Sequence, residues 1–571
     1  MSARLDTPVL IVGGGPVGLT LAGELGWRGL PCTVVEARTG PTEHPKATLL
    51  GARSMELYRR WGITERIFAA ALPPDINYFI TFSTRLTGHE LYRITSPSIR
   101  DTTERPPEAV ARWRELQWSP FYKTQIGQQA LEPVLLDFVA SHPNVTLQNG
   151  TRFLGHVEHA DHVEAQIEDI ATGARRTIRA RWLVACDGGG SGIRRSLGIR
   201  MNGRGRMRPN VSFYFESDEF LTLHGRGLGN LYFIFAPDSF GVFTAIDGVR
   251  RWTFQFYFLD PSRATKDIDP AEVLSRAMGR PFAFRLEGVQ HWHHHQSVAR
   301  SWRSPGLEED GAGRVFLAGD AAHLFAPTGG VGMNTGIGDA VDLGWKLAAV
   351  EAGWGGDGLL GSYEAERKPI AVRNSVISAN NSDKIDMVMD ETPPEIEEDS
   401  PRGARLRAAA ASRIRWMARQ FNSAGTHLGY RYVDSPVIVP DGSPEPPDDP
   451  TQVVPSTWPG SRAPHAFTGA DTSLRGETTL DWFGRDFVLV QTGEADGAPL
   501  MAALQRLRAP VTCRHVEQPW LRPQFERALV LVRPDGHVAW RGDAPPADPE
   551  GVARRVCGHP EPGVTASEAR H

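Results

Sequence analysis

The 571-residue sequence contains very little cysteine. Its four cysteines, Cys32, Cys186, Cys513 and Cys557, are widely separated. No CxxC motif occurs, and no cysteines and histidines follow one another at the spacing of a structural zinc site. We therefore expect neither disulfide bonds nor structural zinc.

The sequence also lacks long apolar runs and a strong excess of charge. No run approaches the roughly 18 apolar residues of a membrane span, and the N-terminus passes from a polar start straight into an apolar strand, unlike a secretion signal. A net charge of -5 leaves no basic stripe for a nucleic acid or a membrane surface. We expect a cytoplasmic protein with neither nucleic acid nor membrane as a partner.

The length predicts several domains, because one hydrophobic core rarely exceeds roughly 250 to 300 residues. A strand, a glycine turn, a helix to about Trp27 and a second strand form a βαβ unit at the start. The strand VFLAGD later returns the chain to this unit, and PDGSPEPPDDP marks a linker. The predicted domains are a discontinuous nucleotide-binding domain (1–75, 112–198 and 298–395), a sheet domain (76–111 and 199–297), a helix and linker (396–454) and a C-terminal domain (455–571).

The first glycine-rich turn follows the first strand directly. Gly13, Gly15 and Gly18 form GxGxxG around Pro16, and Glu36 ends the second strand. The glycines permit a tight turn and close approach of a pyrophosphate, while the acid accepts hydrogen bonds from a ribose. The pattern predicts a dinucleotide site, with a glycine turn that binds nothing as the alternative.

Two more glycine turns follow strands later in the chain. Asp187 begins DGGG, a pattern that is also compatible with a plain surface turn. Asp320 can accept a hydrogen bond from a sugar-alcohol hydroxyl, and the stretch from Gly329 to Asn334 opens a helix whose free N–H groups favour negative charge. Together the distant turns predict one extended ligand, FAD, with its pyrophosphate at the first turn and its flavin ring at the last.

In order and spacing, these three motifs resemble those of the single-component FAD-dependent aromatic hydroxylases, the family of para-hydroxybenzoate and phenol hydroxylase. The resemblance extends through LLGARSMELYRRWGI and QQALEPVL and covers roughly residues 6 to 380. In length the chain is most similar to bacterial aromatic polyketide hydroxylases of the tetracenomycin type. The resemblance implies an α/β fold, in which a discontinuous Rossmann-like FAD-binding domain carries an inserted mixed β-sheet substrate domain and a thioredoxin-like C-terminal domain.

The resemblance also implies roles by position. Glu36 would bind the adenosine ribose, Arg53 and Gln128 would lie near the pyrophosphate and ribityl chain, and Asp320 would bind the ribityl chain. The full set of residues predicted to bind the cofactor is Gly13, Gly15, Pro16, Gly18, Glu36, Ala37, Lys46, Arg53, Gln128, Asp187, Gly319, Asp320, Pro327, Gly330, Gly332, Met333 and Asn334.

Three positions bear on the chemistry that the resemblance implies. Asp187 would serve both FAD binding and the reaction with NADPH. Lys46 replaces the usual arginine, so that a phosphate-directed charge remains but a bidentate contact is lost. Thr48 stands where phenol hydroxylases have an acid, so no catalytic base is assigned.

Family chemistry implies that NADPH, or NADH, reduces FAD and that O2 then forms a flavin C4a-hydroperoxide, which attacks an electron-rich ring. The predicted substrate is a phenolic, multi-ring polyketide. The loop of Pro327, Thr328, Gly329 and Gly330 would lie beside the flavin, where a backbone carbonyl at Pro327 could orient the substrate hydroxyl.

Aromatic side chains are dense in the strands between residues 211 and 258. Trp252, Phe254, Phe256 and Phe258 share one face of a strand. Such a face is more often core than binding surface, but in this family the sheet covers the active site. The residues predicted to contact the substrate are Phe213, Phe215, Tyr232 and Phe254.

Histidines allow two further interpretations. His291, His293 and His295 would share a strand face, which invites a metal site, but a sheet face explains them and flavin chemistry needs no metal. His323 invites a role as catalytic base, although a structural role is favoured directly after a cofactor-binding turn. We therefore predict no metal site.

Several alternatives stay open from sequence. A small chlorinated or alkyl phenol is the second candidate substrate, and Baeyer–Villiger oxygenation or epoxidation would use the same three motifs. Flavin-dependent halogenation is disfavoured because WxWxIP is absent. A non-enzymatic FAD-binding or drug-binding protein is the alternative from another class. The oligomeric state is open, a homodimer included.

Overall fold

A computed structural model describes residues 4–76, 78–257, 268–306 and 312–560; the predicted strand position Phe258 lies outside them. The strands are β1 (Thr7–Val12), β2 (Cys32–Glu36), β3 (Leu49–Leu50), β4 (Tyr78–Ser83), β5 (Glu90–Ser96), β6 (Thr124–Gln125), β7 (Val145–Asn149), β8 (Thr151–Glu158), β9 (Val163–Asp169), β10 (Arg175–Ala185), β11 (Met201–Glu216), β12 (Leu231–Ile234), β13 (Gly241–Ala245), β14 (Arg251–Tyr257), β15 (Arg285–Ala299), β16 (Arg303–Pro305), β17 (Ala312–Leu317), β18 (His323–Leu324), β19 (Phe487–Gln491), β20 (Val511–His515), β21 (Leu529–Val532) and β22 (Val538–Gly542).

The α-helices are α1 (Pro16–Trp27), α2 (Ala52–Arg59), α3 (Thr64–Ala70), α4 (Ile99–Glu104), α5 (Pro107–Arg112), α6 (Glu115–Trp118), α7 (Gln128–Ala140), α8 (Gly192–Ser196), α9 (Phe220–His224), α10 (Pro270–Met278), α11 (Val331–Glu351), α12 (Asp357–Asp390), α13 (Pro401–Met417), α14 (Ala424–Leu428), α15 (Ala498–Arg506), α16 (Arg522–Phe525) and α17 (Pro549–Val556). In the part of the chain that the structure describes, every helix is too short or too polar to cross a membrane.

The first sheet carries the nucleotide-binding motifs. Its main path runs β16-β17-β10-β1-β2-β7, and β8 and β9 extend it beside β10. β1 pairs in parallel with both β2 and β10, and its residues from Val9 to Val12 are buried. Strands covered on both faces need apolar residues throughout, which explains the continuous apolar run at the start of the sequence. The parallel pairing brings the ends of β1 and β10, and the glycine turns that follow them, to one edge.

The second sheet has eight strands in the order β18-β15-β11-β14-β13-β12-β4-β5. All neighbours are antiparallel except β12 and β4, which run parallel. Side chains alternate between its faces, so Trp252, Phe254 and Phe256 lie together as predicted. That face packs against α10, whose Val273 and Leu274 complete an apolar core.

The C-terminal region forms a smaller third sheet in the order β20-β19-β21-β22, in which β19 and β20 are parallel and the other pairs antiparallel. Its core is shared with the first domain, because Trp345 of α11 packs among C-terminal residues such as Phe487. The whole chain is an α/β fold with mixed sheets.

A buried ionic cluster crosses the same boundary. Arg533 donates to Glu366 at 2.5 Å and to Asp535 at 2.6 Å, and Lys346 donates to Glu366 at 2.6 Å and to Asp342 at 2.8 Å. All five side chains are at most 3% exposed. Buried charges persist only when they are paired, so this cluster fixes how the C-terminal region sits on α11 and α12.

Candidate active site

A cavity of about 760 Å³ lies between the glycine turns of the first sheet and one face of the second sheet. Residues predicted from the sequence make up much of its lining. Those that line it are Gly13, Gly15, Pro16, Glu36, Lys46, Gln128, Asp187, Asp320, Pro327, Thr328, Gly329, Gly330, Gly332 and Met333.

The first turn is built from glycines with different roles. Gly13 has a φ of 111°, and a Cβ there would overlap the carbonyl oxygen of Cys186. A Cβ on Gly18 would overlap the carbonyl oxygen of Gly13, so Gly18 packs beneath the turn rather than lining the cavity. At Gly15, by contrast, no atom lies within 4 Å of a Cβ position. The turn therefore leaves an open cradle in front of the N-terminus of α1, as a pyrophosphate requires.

Glu36 is held in place at the end of β2. Its Oε2 accepts from the Gly14 amide at 2.6 Å, and its Oε1 accepts from the Arg38 amide at 2.8 Å and from Arg38 Nε at 3.1 Å. Burial alone would raise the pKa of Glu36, but these hydrogen bonds outweigh it and lower the pKa. The carboxylate is therefore ionised at neutral pH and lies in the cavity wall, where it can accept hydrogen bonds from a ribose.

Arg38 also lines the cavity, and the sequence analysis missed it. Its Nη1 lies 3.3 Å from Glu132 Oε2, while Gln128 donates to the other oxygen of Glu132 at 2.7 Å. Glu132 thus links the two cavity residues Arg38 and Gln128. A basic residue two positions after the acid that ends β2 was the signal available in the sequence.

The two aspartates that follow strands present carboxylates to the cavity. Asp187 Oδ2 accepts from the Ile193 amide at 3.3 Å, whereas its Oδ1 has no hydrogen-bond partner among the described residues. Asp320 is exposed to the open cavity, yet desolvation by the surrounding protein raises its pKa, and the charges of His323 and Lys46 offset this only in part. An acceptor without a partner beside an open glycine turn fits a ligand rich in hydroxyl groups, such as FAD.

The last glycine turn begins α11. Gly329 and Gly330 have φ values of 87° and 63°, which side chains rarely adopt, and Gly330 caps the helix. Thr328 Oγ1 donates to the carbonyl of Ser378 at 2.6 Å. The first residues of α11, Gly332 and Met333, line the cavity, so the positive end of the helix dipole faces it. These turns and acids together fit FAD.

Asn334 positions this loop from outside the cavity lining. Its Oδ1 accepts from the Gly51 amide at 2.7 Å and from Ser54 Oγ at 2.6 Å, and its Nδ2 donates to the carbonyls of Leu49 at 3.0 Å and Gly330 at 2.7 Å. The side chain therefore ties the start of α11 to β3 and α2, and has no capacity left for a ligand.

Three other predicted residues also lie outside the cavity lining. Arg53 is buried, donates to Glu56 Oε2 at 3.0 Å and to the carbonyl of Asp535 at 2.6 Å, and so contacts the C-terminal region. Ala37 is exposed beside Glu36. Gly319 is buried, where a Cβ would crowd Val17. The ligand contacts of these three residues stay predictions.

The aromatic residues predicted to contact the substrate point the other way. The side chains of Phe213, Phe215, Tyr232 and Phe254 all lie in the core between the second sheet and α10. Because side chains alternate along a strand, their neighbours face the cavity instead. The cavity-facing residues of this sheet include Tyr78, Ile80, Ser212, Asn230, Leu231, Phe233, Val242, Thr244, Gln255, Tyr257, Gln290 and Trp292.

The histidines divide between the cavity and the core. His323 is fully buried, contacts Asp339 Oδ2 through Nε2 at 2.7 Å and stacks on Phe325, which agrees with a structural role. His293 and His295 line the cavity. Among the described residues, the only side chains grouped closely enough to hold a metal ion are His159, His162 and Glu164, and they do not line the cavity.

A further wall of the cavity was not recognised in the sequence. It comprises Tyr122 and Lys123, which precede β6, Gln125 within it, and Gln420 and Phe421 after α13. These residues lie in separate segments without a recognisable motif, so only the folded chain brings them together.

Comparisons with known proteins agree with this site. Residues 6–376 match the family model described as an FAD binding domain, and residues 456–560 match the aromatic-ring hydroxylase C-terminal domain. The FAD-dependent monooxygenase apdD of Emericella nidulans is 33% identical, over 94% of this chain and 87% of its own length. The tetracenomycin B2 monooxygenase-dioxygenase of Streptomyces olivaceus is 31% identical, over 96% of this chain and 97% of its own.

A solved structure is similar as well. The rebeccamycin biosynthetic enzyme RebC with reduced flavin is 37% identical and superposes with a TM-score of 0.85, over 97% of this chain and all of that one. The matched domains extend over most of the sequence, and the glycine turns, acids and helix N-termini of the cavity fit FAD. The chain is therefore an enzyme of the FAD-dependent aromatic-ring hydroxylase family, whose members include polyketide hydroxylases of the tetracenomycin type.

Proposed function

We propose that this enzyme uses NADPH and O2 to hydroxylate a phenolic, multi-ring polyketide. The observation that carries the proposal is the continuity of the cavity, which extends from the pyrophosphate cradle at Gly15 to the second-sheet face around Trp292. A ligand bound along the glycine turns would therefore share one continuous cavity with a flat molecule on the sheet.

The cavity lining supports a flat aromatic substrate. Phe233 and Trp292 offer aromatic surface, Val242 offers apolar surface, and Gln255 and Gln290 offer hydrogen bonds from the same face. Binding sites of this type combine a mostly apolar wall with a few polar groups that fix orientation. The tetracenomycin B2 monooxygenase-dioxygenase supports the same substrate class by its name.

FAD, when bound, supplies the redox chemistry and the activation of oxygen. The residues of this chain hold the cofactor, exclude water and orient the substrate ring. Glu36 would bind the ribose and Lys46 would place positive charge near the phosphates. The N-terminus of α11 would stabilise negative charge on the reduced flavin ring.

The finer assignments made from the sequence belong to this proposal. They are the domain ranges, the thioredoxin-like fold of the C-terminal domain, the cytoplasmic location and the use of NADPH. The small four-stranded sheet, whose helices α15 and α17 contact each other, supports the thioredoxin-like assignment.

The experiment is to follow NADPH oxidation by the purified yellow protein in air, with and without a multi-ring phenolic polyketide, together with product mass. We expect strong stimulation by the phenol and a mass gain of one or more oxygens. Oxidation that yields only peroxide would show a phenol that binds but is misplaced. If no phenol stimulates NADPH use, the hydroxylase proposal is wrong and the binding-protein alternative gains support.

A further inference from the structure

Lys123 is a half-buried cation in the cavity wall. It is one of six lysines in the sequence, and it shares this wall with Tyr122. Its Nζ donates to the carbonyl of Phe421 at 2.5 Å and lies 5.9 Å from the centre of the Tyr122 ring. Among the residues that the structure describes, no carboxylate lies within 4.0 Å of this ammonium. A single carbonyl leaves two of its three N–H donors without a protein partner.

The surroundings of Lys123 disfavour its charge. Burial lowers the pKa of Lys123 to about 8, and the more distant Glu115 opposes this only in part. Two titratable groups beside it are neutral at pH 7, because burial raises the pKa of Tyr122 to about 12, and burial with the charges of Lys123 and Arg373 lowers the pKa of His427 to about 3. A cation in such a place gains most from an anionic ligand.

Lys123 also lies close to the loop beside the predicted flavin site. It immediately precedes β6, which pairs with β3, and a Cβ on Gly330 would touch Leu49 of β3. His427 connects the two from the other side, because the Gly329 backbone and the Lys123 charge both act on its ring. The ammonium is therefore at the end of the cavity where the loop of residues 327–330 meets the second sheet.

Two neighbouring amides add unused hydrogen-bonding capacity. Gln125 Nε2 and both amide atoms of Gln420 are buried and have no hydrogen-bond partner among the described residues. Both side chains belong to the same wall of the cavity as Lys123. Buried polar groups are normally paired, so a polar ligand group at this wall would satisfy groups that the protein leaves unpaired.

We propose that Lys123 binds an anionic oxygen, a phenolate or a carboxylate, of a multi-ring aromatic substrate. This inference rests on the proposed function, since it assigns a substrate group to the same cavity. For a phenol, the O–H bond breaks heterolytically on binding. Its proton passes to Lys123 if the amine is neutral, or to solvent if Lys123 is already an ammonium, and both routes end in the same ammonium–phenolate pair. A phenolate is the more nucleophilic ring, which supplies the activation that Thr48 cannot provide.

The test measures ligand binding to the FAD-loaded protein by absorbance, without turnover. The probes are three molecules with the same three-ring frame: alizarin as the phenol, anthraquinone-2-carboxylate as the acid, and anthraquinone as the uncharged reference. The variants are Lys123→Met, Lys123→Arg and, as a matched control outside the cavity lining, Lys384→Met, whose lysine lies over Trp416.

We expect Lys123→Met to weaken binding of at least one charged probe by about tenfold or more and to leave anthraquinone within about twofold. Lys123→Arg should keep most of the affinity, and Lys384→Met should behave as the wild type. The visible spectrum of bound alizarin should show deprotonation at lower pH in the wild type than in Lys123→Met. The probe that responds identifies the group, phenolate or carboxylate.

Three results would overturn the inference: equal weakening of all three probes, no weakening of either charged probe, or no preference of the wild type for a charged probe over anthraquinone. Failure of the proposed function looks different. In that case the charged probes would still bind through Lys123, while the wild type would insert no oxygen into any phenol.

Discussion

Gly13 and Gly15 lie two positions apart in the first turn, but glycine is needed at each of them for a different reason. Gly13 combines a φ of 111° with contact to the Cys186 carbonyl, so its glycine serves the fold. Gly15 has an ordinary φ of -76° and open space before it, so its glycine serves a ligand. Within one sequence motif, Gly13 thus matters for the stability of the fold and Gly15 for the binding of a ligand.

Alanine at each position tests this separation. Gly13→Ala should destabilise the protein by roughly 2–4 kcal/mol, because a side chain is strained at this φ and clashes with backbone. Gly15→Ala should leave the free energy of unfolding of the FAD-free protein within about 0.5 kcal/mol while lowering FAD affinity. Denaturant unfolding and FAD titration measure the two effects. Equal loss of stability in both variants would contradict the division of roles.

The contacts of the Arg53 side chain could not be predicted from the motif that contains it. Its position in GARSMELYRR matches the family pattern, yet its guanidinium reaches Glu56 and a carbonyl of Asp535, 482 residues later. Glu36, Asp187 and Asp320 line the cavity. The sequence could indicate their place because each one ends or closely follows a strand of the first sheet, at the edge where ligands bind in such sheets. Arg53 lies on a helix, where its direction depends on a distant domain.

At the scale of elements, α11 is both a wall of the cavity and a support for the C-terminal region. Asn334 in its first turn connects it to β3 and the start of α2 through three hydrogen bonds, and a fourth binds the Gly330 carbonyl of its own loop. The loop from Pro327 to Gly330 is thereby fixed relative to the second sheet. The position of a flavin ring beside this loop would depend on that connection.

Asn334→Ala should loosen this connection. The loss of four hydrogen bonds is expected to cost about 2–4 kcal/mol of stability. Hydrogen exchange should rise over residues 327–334, and more of the NADPH consumed should appear as peroxide, because a displaced loop admits water. Asn334→Asp keeps the acceptor but loses the donor, so its stability and exchange rates should lie between those of the wild type and Asn334→Ala. An unchanged exchange rate in Asn334→Ala would contradict the positioning role.

The second sheet shows which part of an element the sequence predicts. Alternation correctly predicted that Trp252, Phe254 and Phe256 share a face. It did not predict which face is covered, because α10 arises from a separate segment and packs on the aromatic side. The more polar face, with Gln255 and Tyr257, packs in part against α12 and α13 and lines the cavity with the rest. Alternation along a strand predicts which residues share a face. The helix that packs on one face then decides which face a ligand can contact.

At the scale of the whole molecule, Arg533 and Lys346 form ion pairs with three acids at the boundary between the first domain and the C-terminal region. Burial would raise the pKa of Glu366, but Arg533 and Lys346 lower it to about 2. A lowered carboxylate pKa contributes stability that is fully present above the ordinary value near 4.5 and is lost as the pH falls toward 2. Acid should therefore weaken this boundary.

Arg533→Met should destabilise the protein by about 3–5 kcal/mol, because it leaves buried acids without a partner. Its acid unfolding should begin at a higher pH than that of the wild type, since the variant has less stability to lose as the other carboxylates are protonated. The control is Arg506→Met, which breaks the exposed pair with Glu550 and should cost less than about 1 kcal/mol. Denaturant and acid titrations report both variants. Equal losses of stability in the two variants would show that the buried ion pairs contribute no more than the exposed pair.

The shared core around Trp345 has a consequence for protein engineering. A chimera that joins the C-terminal domain of a relative at the linker would lose two native contacts at once. Trp345 would lose its contact with Phe487, and Glu366 its ion pair with Arg533. The exchangeable unit is therefore larger than the C-terminal domain and includes the facing sides of α11 and α12. Since α11 begins at the loop of residues 327–330, a graft that keeps this unit together also transfers one wall of the cavity.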